Sequence, residues 1–268
     1  MRVGVIAQQD NPRAVGLAEE LRGALDADIS VDEVTGEALG TAGVPVSGMA
    51  DCDLVVSIGG DGTFLFAARE AGDAPLMGVN LGEVGFLNAT PPEEAVPAVR
   101  DTVERLRAGE ADIRELARLE VRDSSLPPAL NEVAVLGPRR GRGGGLEVET
   151  RVDGSLYGGG HADGLLVATP TGSTAYNLSE GGPLVHPAVE GFVVTGMADA
   201  DGTVPLVVGP EATVTVRVDS AGEARLLIDG RAGETLAPPA ELTVERSGSP
   251  ARVAGPGLDF FAGLGKLS

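Results

Sequence analysis

Asp53-Leu54-Val55-Val56-Ser57-Ile58-Gly59-Gly60-Asp61-Gly62-Thr63 is the stretch whose reading decides the fold. Its apolar run, 54–58, is β-prone and interrupted only by Ser57, the pattern of a strand buried on both faces in a parallel α/β sheet. The glycines then change the options of the backbone. Gly59, Gly60 and Gly62 carry no Cβ, so the main chain can come close to a ligand, and the helix-like residues that follow offer their N-terminal amides to an anion. Such a turn is a candidate phosphate cradle. It lacks the Gly-Lys-Ser/Thr of a Walker A loop and the spacing of the dinucleotide fingerprint. Asp61 is anomalous in that setting. A carboxylate among phosphate-facing amides repels the ligand unless it holds a cation or takes a proton from an attacking hydroxyl, which points to phosphoryl transfer. The plainer alternative is a strand-to-helix turn in which Asp61 only caps Thr63 and its neighbours. These residues alone leave both readings open.

Towards the N-terminus, residues 2–7 read as another buried strand, and Asn11-Pro12 opens an amphipathic helix over 13–25 with Ala14, Leu17, Ala18, Leu21 and Leu25 on one side. Residues 28–50 are weakly patterned beyond a short strand at 29–31. Towards the C-terminus, 76–80 forms a third strand ending in the glycine-rich turn 81–87, where an α/β sheet keeps its ligand crevice. Pro91-Pro92 starts a helix through Val96, Val99, Val103 and Leu106 that closes near Gly109. From Arg114 the period changes. Strand-like runs broken by glycine follow at 119–122, 132–136, 146–152, 165–168, 192–195, 204–208, 213–218, 225–228 and 241–246, the mark of an antiparallel β domain. The expected division is therefore 1–110, a Rossmann-like α/β domain with a parallel sheet, and 111–254, an all-β domain. The apolar, aromatic tail, 255–268, is expected to return to the first. Gly141-Arg142-Gly143-Gly144-Gly145 reads as a hairpin tip.

With 40 acidic residues against 20 basic ones the net charge is −20, which argues against nucleic-acid backbones and anionic membranes as partners. The acids are spread along the chain rather than gathered in a tail, and Lys266 is the only lysine. Together these are the marks of a salt-adapted, cytoplasmic protein from a halophilic source. Cys52 is the only cysteine, which rules out an intramolecular disulfide and a cysteine-built metal site. His161 and His186, the only histidines, are too few for a histidine-rich metal site. The opening residues carry no apolar run long enough for a signal peptide, and no later stretch is long enough to span a membrane.

The densest chemistry lies in 163–183. A strand from Asp163-Gly164 delivers hydroxyls into a turn: Thr169, Thr171, Ser173 and Thr174 for phosphate or ribose oxygens, Pro170 and Gly172 to set the turn, and Tyr176 as a ring for a base. An ordinary Ser/Thr-rich loop capping a helix at Ala175 is the alternative. Asn131-Glu132, at the head of an apolar strand, pairs an amide with a carboxylate suited to a sugar or a base edge.

Gly59-Gly60-Asp61-Gly62-Thr63, Asn80-Leu81-Gly82 with Gly85-Phe86-Leu87, Asn131-Glu132, Asp163-Gly164 through Tyr176, Gly181-Gly182-Pro183 and Asp229-Gly230 together resemble the NAD kinase family in order and spacing over nearly the whole chain. The first motif is shared with diacylglycerol and sphingosine kinases; the stretch 163–183 is close to diagnostic. The resemblance implies an α/β domain followed by a β-sandwich whose tail crosses back. It implies transfer of the γ-phosphate of ATP, or of polyphosphate, to the 2′-hydroxyl of the adenosine ribose of NAD, giving NADP, with Mg²⁺ screening the triphosphate. Asp61 would be the proton acceptor, with Gly62 beside the substrate and Gly59, Gly60 and Thr63 as the phosphate loop. Phe86, Asn131, Glu132, Asp163 and the run Thr174, Ala175, Tyr176, Asn177 and Ser179 would hold NAD. His161 stands where many relatives carry arginine, and Arg231 where many carry glutamine. The partners implied are small-molecule nucleotides and further copies of the chain, as a dimer or tetramer.

Segment 196–205 departs from that pattern. Relatives usually carry a proline-histidine-serine-leucine segment and an arginine-proline here; this chain has Gly196-Met197-Ala198-Asp199-Ala200-Asp201-Gly202-Thr203-Val204-Pro205. The departure supports a second reading, an NAD-binding regulator with weakened or lost catalysis. A third reading, a lipid kinase sharing the glycine-Asp loop, is opposed by 163–183 and by the acidic charge, which anionic membrane surfaces repel.

Overall fold

A computed structural model describes residues 1–82, 86–139, 141, 144–198, 202–220, 222–257 and 260–265. In chain order its strands are β1 Arg2–Ala7, β2 Asp28–Val31, β3 Leu54–Gly59, β4 Leu76–Asn80, β5 Arg114–Leu116, β6 Leu119–Val121, β7 Glu132–Leu136, β8 Leu146–Val152, β9 Ser155–Ala162, β10 Gly164–Ala168, β11 Phe192–Met197, β12 Leu206–Val208, β13 Val214–Ser220, β14 Ala224–Ile228, β15 Ala232–Leu236, β16 Ala240–Arg246 and β17 Ala251–Val253. The helices are α1 Pro12–Ala24, α2 Glu33–Leu39, α3 Asp61–Glu70, α4 Ala95–Ala108, α5 Tyr176–Ser179 and α6 Phe260–Leu264.

The chain divides into two units, Met1–Leu116 with Pro250–Ser268, and Ala117–Ser249. The first is built on a sheet of order β2-β1-β3-β4-β17-β5. Strands β2, β1, β3, β4 and β17 run parallel, and β5 closes the edge antiparallel to β17. This pairing moves the boundary from the expected 110 and 255. Residues 114–116 bond to 251–253, and both strands belong to the sheet of the first unit. Val3, Val5, Leu54, Val56, Ile58, Met77 and Val79 form one face, covered by α1 and α4 through Leu17, Leu21, Val99 and Val103. Asn11 caps α1 by accepting from Arg13 N and Ala14 N, with Pro12 in the first turn, where its missing N–H costs nothing. α4 ends on Gly109 at φ +70, as the sequence predicts.

α2 was not legible in the weakly patterned 28–50. Its seven residues carry no helical stripe; it is held instead by Asp32, whose side chain accepts from Val34 N, and closed by Gly40 at φ +66.

The second unit stacks two antiparallel sheets, β12-β11-β10-β7-β14-β15 and β6-β16-β13-β8-β9, as the resemblance implies. Val133, Leu165, Phe192 and Leu226 from the first share one core with Leu146, Val148, Val216 and Val244 from the second. The first sheet is buried on its other face too, where Ala134, Leu166 and Met197 pack together with the ring of Tyr176 against them. That double burial explains why 165–168 shows no polar alternation. β9 escaped the sequence reading because Gly158-Gly159-Gly160 breaks its pattern, yet it pairs along its length with β8.

Leu166 is fully buried beneath the segment that carries Tyr176. Leu166→Ala is expected to lower unfolding stability by about 2–5 kcal/mol, read as a fall in the urea midpoint in molar KCl.

Candidate active site

In the order β2-β1-β3-β4, the chain leaves β1 towards β2 and leaves β3 towards β4, so the carboxyl ends of β1 and β3 form the switch point of a doubly wound sheet. The glycine loop sits there. At Gly59 a Cβ would stand 2.5 Å from Thr63 Oγ1 and 2.9 Å from Gln8 Cβ, so only glycine lets the chain turn this closely. Gly60 precedes α3, and the space its missing Cβ leaves is open. The loop thus presents bare backbone at the start of a ten-residue helix, where the dipole favours an anion.

Asp61 is the first residue of α3, but its carboxylate does not cap that helix. It reaches the segment after β4. Phe86 N donates to Oδ2 at 3.2 Å, Leu87 N to Oδ1 at 3.3 Å and Asn88 Nδ2 to Oδ1 at 3.4 Å. The Phe86 ring lies 6.0 Å from that of Phe260 in α6, and a Cβ at Gly263 would stand 2.7 Å from Phe86 Cε1. The returning tail therefore backs the segment that holds Asp61. Gly85, part of the quoted motif, lies outside the described residues.

In the second unit, 130–132, 169–172 and 229–231 are brought together. The Asp229 carboxylate accepts from Leu130 N at 3.0 Å, Asn131 N at 2.7 Å and Glu132 N at 3.2 Å. Asp229 and Gly230 have φ of +49 and +69, the signs a type I′ turn needs, and Arg231 N closes the turn on Ile228 O at 3.0 Å. Thr169 Oγ1 donates to Leu130 O at 2.6 Å and accepts from Gly172 N at 3.0 Å. At Gly172 a Cβ would stand 2.0 Å from Asn131 O. Within this frame Asn131 Oδ1 and Glu132 Oε2 are buried without a hydrogen-bond partner. Native proteins rarely leave such atoms orphaned, which makes this pair a candidate for contact with a ligand. Burial, and then the neighbouring Asp229 carboxylate, pushes the Glu132 carboxyl up to about 8.

The hydroxyl-rich stretch is used differently from the expectation. Thr169 and Ser173 spend their hydroxyls inside the turn. Both are fully buried, and Ser173 Oγ donates to Pro170 O at 2.7 Å and accepts from Val185 N at 3.0 Å. The Asn177 amide is also internal, donating to Ser173 O and Pro183 O and accepting from Thr195 Oγ1 at 2.8 Å. These groups build the turn because a compact loop leaves backbone polar atoms that only local side chains can satisfy. Thr174, Ala175 and Tyr176 are half-buried and Ser179 is exposed. Asp163 stands at the opposite end of β10 from Ala168, which pairs with Glu132, roughly 17 Å away by strand rise. Both its carboxylate oxygens accept from Gly141 N at 3.0 Å. His161 lies on β9 in the other sheet, with Nδ1 3.0 Å from Glu147 Oε1, and Arg231 is exposed beside Asp229. In segment 196–205, Gly196 and Met197 continue β11; residues 199–201 lie outside the described ones.

Sequence reasoning missed Asn88 and the way Asp229 acts. An Asp-Gly pair between two strand-like runs signals a tight hairpin, though not the residues its carboxylate will hold. Among the described residues no three His, Cys, Asp or Glu side chains converge to hold a metal ion, so they form no protein cage for Mg²⁺.

The raised Glu132 carboxyl has a stability consequence. Between the ordinary carboxyl range and about pH 8 the folded state keeps a proton that the unfolded chain releases, so stability falls as pH rises and levels off above about 8. Glu132→Gln cannot ionise. Its stability relative to wild type is expected to climb between about pH 5 and about pH 8, by on the order of a few kcal/mol, and then stay flat in urea unfolding series.

The ATP-NAD kinase C-terminal domain profile matches residues 130–255, and the N-terminal domain profile matches 41–107. The NAD kinase of Halorubrum lacusprofundi is 56% identical over the whole of both chains, and that of Natronomonas pharaonis 53%. Among solved structures, an NAD kinase from Archaeoglobus fulgidus in complex with ATP superposes with a TM-score of 0.79 at 29% identity, covering 94% of this chain and 93% of that one. The yeast NADH kinase complexed with NADH shares the fold, with a TM-score of 0.85 at 22% identity, covering 100% of this chain and 87% of that one. With both domain profiles matched, with the glycine-Asp loop at the switch point and with full-length relatives above half identity, the chain belongs to the NAD kinase family.

Proposed function

We propose that Asp61 is the base of an NAD kinase reaction, taking the proton of the adenosine 2′-hydroxyl of NAD as that oxygen attacks the γ-phosphorus of ATP. One observation carries this reading. The loop offers phosphate-facing backbone at the start of α3, and the carboxylate beside it is held by groups other than its own helix. Among the described residues Oδ1 accepts two N–H groups and Oδ2 accepts one, so Oδ2 keeps the freer lone pair for a hydroxyl proton. The new bond joins the ribose oxygen to phosphorus, the bond from phosphorus to the bridging oxygen breaks, and ADP leaves with its electron pair. Beyond the proton transfer the protein's task is positioning.

Asn131 and Glu132 hold the nucleoside in this reading. Asn131 Oδ1 accepts from the ligand, and the protonated Glu132 carboxyl both donates and accepts, which suits a hydroxyl or a base edge. Tyr176, Ser179 and the exposed Arg231 are further contacts; Asn177 serves through the shape of its loop. Mg²⁺, which keeps most of its water and takes few protein ligands, would come with the triphosphate and screen its charge. No helix among the described residues is long and apolar enough to cross a membrane. A cytoplasmic location and a homo-oligomer belong to the same proposal, the latter consistent with the exposed Leu156, Val204 and Val207.

NADP formation from NAD and ATP with Mg²⁺ in molar KCl tests the reading. Asp61→Asn is expected to lower kcat by about 10²–10⁴ while NAD still binds, and substituting polyphosphate for ATP identifies the donor. Unchanged turnover in that variant would remove Asp61 from the chemistry.

A further inference from the structure

Asn88 is buried completely, ten residues beyond Gly78, and its amide nitrogen donates both to Gly59 O and to Asp61 Oδ1, each at 3.4 Å. Turning the amide over would aim its oxygen at a carbonyl and a carboxylate, so the neighbours determine its orientation. Space for it is made on β4. A Cβ at Gly78 would stand 2.1 Å from Asn88 Oδ1 and 2.9 Å from Asn88 Cα. Gly78 pairs with Ser57 two residues before Gly59, so the amide lies over the strands that deliver the glycine loop. Packing alone would favour an apolar residue in this place. Asn88 Oδ1 and Ser57 Oγ are both buried without a partner, a cost that a hydrocarbon side chain would avoid.

We propose that Asn88 is a positioning residue for the reaction: its amide ties the carboxylate of Asp61 to the backbone of the glycine loop and holds Oδ1 in place, so that Oδ2 remains the oxygen that receives the ribose proton. The proposal rests on the reading of Asp61 as the base. Gly59 O and Asp61 Oδ1 share one donor group, so the loop that faces phosphate and the base that faces the hydroxyl keep a constant separation. A displacement of about 1 Å at such a place costs on the order of a hundredfold in rate.

The test compares Asn88→Ala and the similarly sized Asn88→Leu with wild type, each alone and in the Asp61→Asn background, with KM for NAD, kcat and thermal unfolding measured in molar KCl. Asn88→Leu keeps the volume and loses the donor. Both variants are expected to fold, to keep KM for NAD within about twofold, and to lose kcat about ten- to a hundredfold; neither should lower the residual rate of Asp61→Asn further. Equal losses in both backgrounds, turnover near wild type in folded variants, or failure of both variants to fold would overturn the proposal, the last because Asn88 would then serve the fold. An Asp61→Asn enzyme with wild-type kcat would instead overturn the reading of the base, so the two failures are distinguishable.

Discussion

The Asp61 carboxylate, accepting from Phe86 N, Leu87 N and Asn88 Nδ2, is the interaction on which the first unit's site depends. Hydrogen bonds to a charged acceptor are worth about 1.5–3 kcal/mol each, and here they join two loops that leave neighbouring parallel strands. β3 and β4 have separate connections, and the carboxylate binds the loop after one to the segment after the other. Its donors are themselves supported, since Phe86 packs against Phe260 and Gly263 in α6. That helix reaches this place because β17 adds to the sheet beside β4. The far end of the chain thus bears on the first turn of α3.

A second carboxylate does comparable work in the other unit, with a different chemical outcome. Asp229 accepts three backbone N–H groups at the head of β7, and its place in a turn of positive φ suits a short polar side chain better than a branched one. With those amides taken, burial first and then the neighbouring negative charge act on Glu132, and its carboxyl is pushed up to about 8. Asp61 and Glu132 sit in different surroundings. One carboxyl is ringed by donors and only half-buried; the other is buried with an unsatisfied oxygen.

What was legible in the sequence was whatever depends on local pattern. The run 54–58 showed a strand buried on both faces, the glycines after it showed close approach, and the change of period near 114 showed the second fold type. Asn11-Pro12 and Gly109 marked helix ends through their own backbone preferences. The rest was hidden for physical reasons. Gly158-Gly159-Gly160 in β9 offers no side chains to betray pairing that runs through the main chain. Thr169, Ser173 and Asn177 look like ligand groups in one dimension, but a buried turn must first satisfy its own carbonyls and amides. Asn88 and Asp229 act on partners 27 to 99 residues away, and no window on the sequence reports such distances.

The net charge of −20 sets a last constraint, because the substrates carry phosphate. At low ionic strength so acidic a chain would repel them at long range. At molar salt the screening length falls to about 3 Å, and the overall field stops mattering to an approaching nucleotide. Recognition then falls to groups in direct contact, which screening touches least. The arrangement fits that demand: bare backbone and open glycines rather than lysines in the loop before α3, and a Glu132 carboxyl that burial keeps protonated at the head of β7. Surface acidity is compatible with binding anions where the groups in direct contact are mainly neutral dipoles.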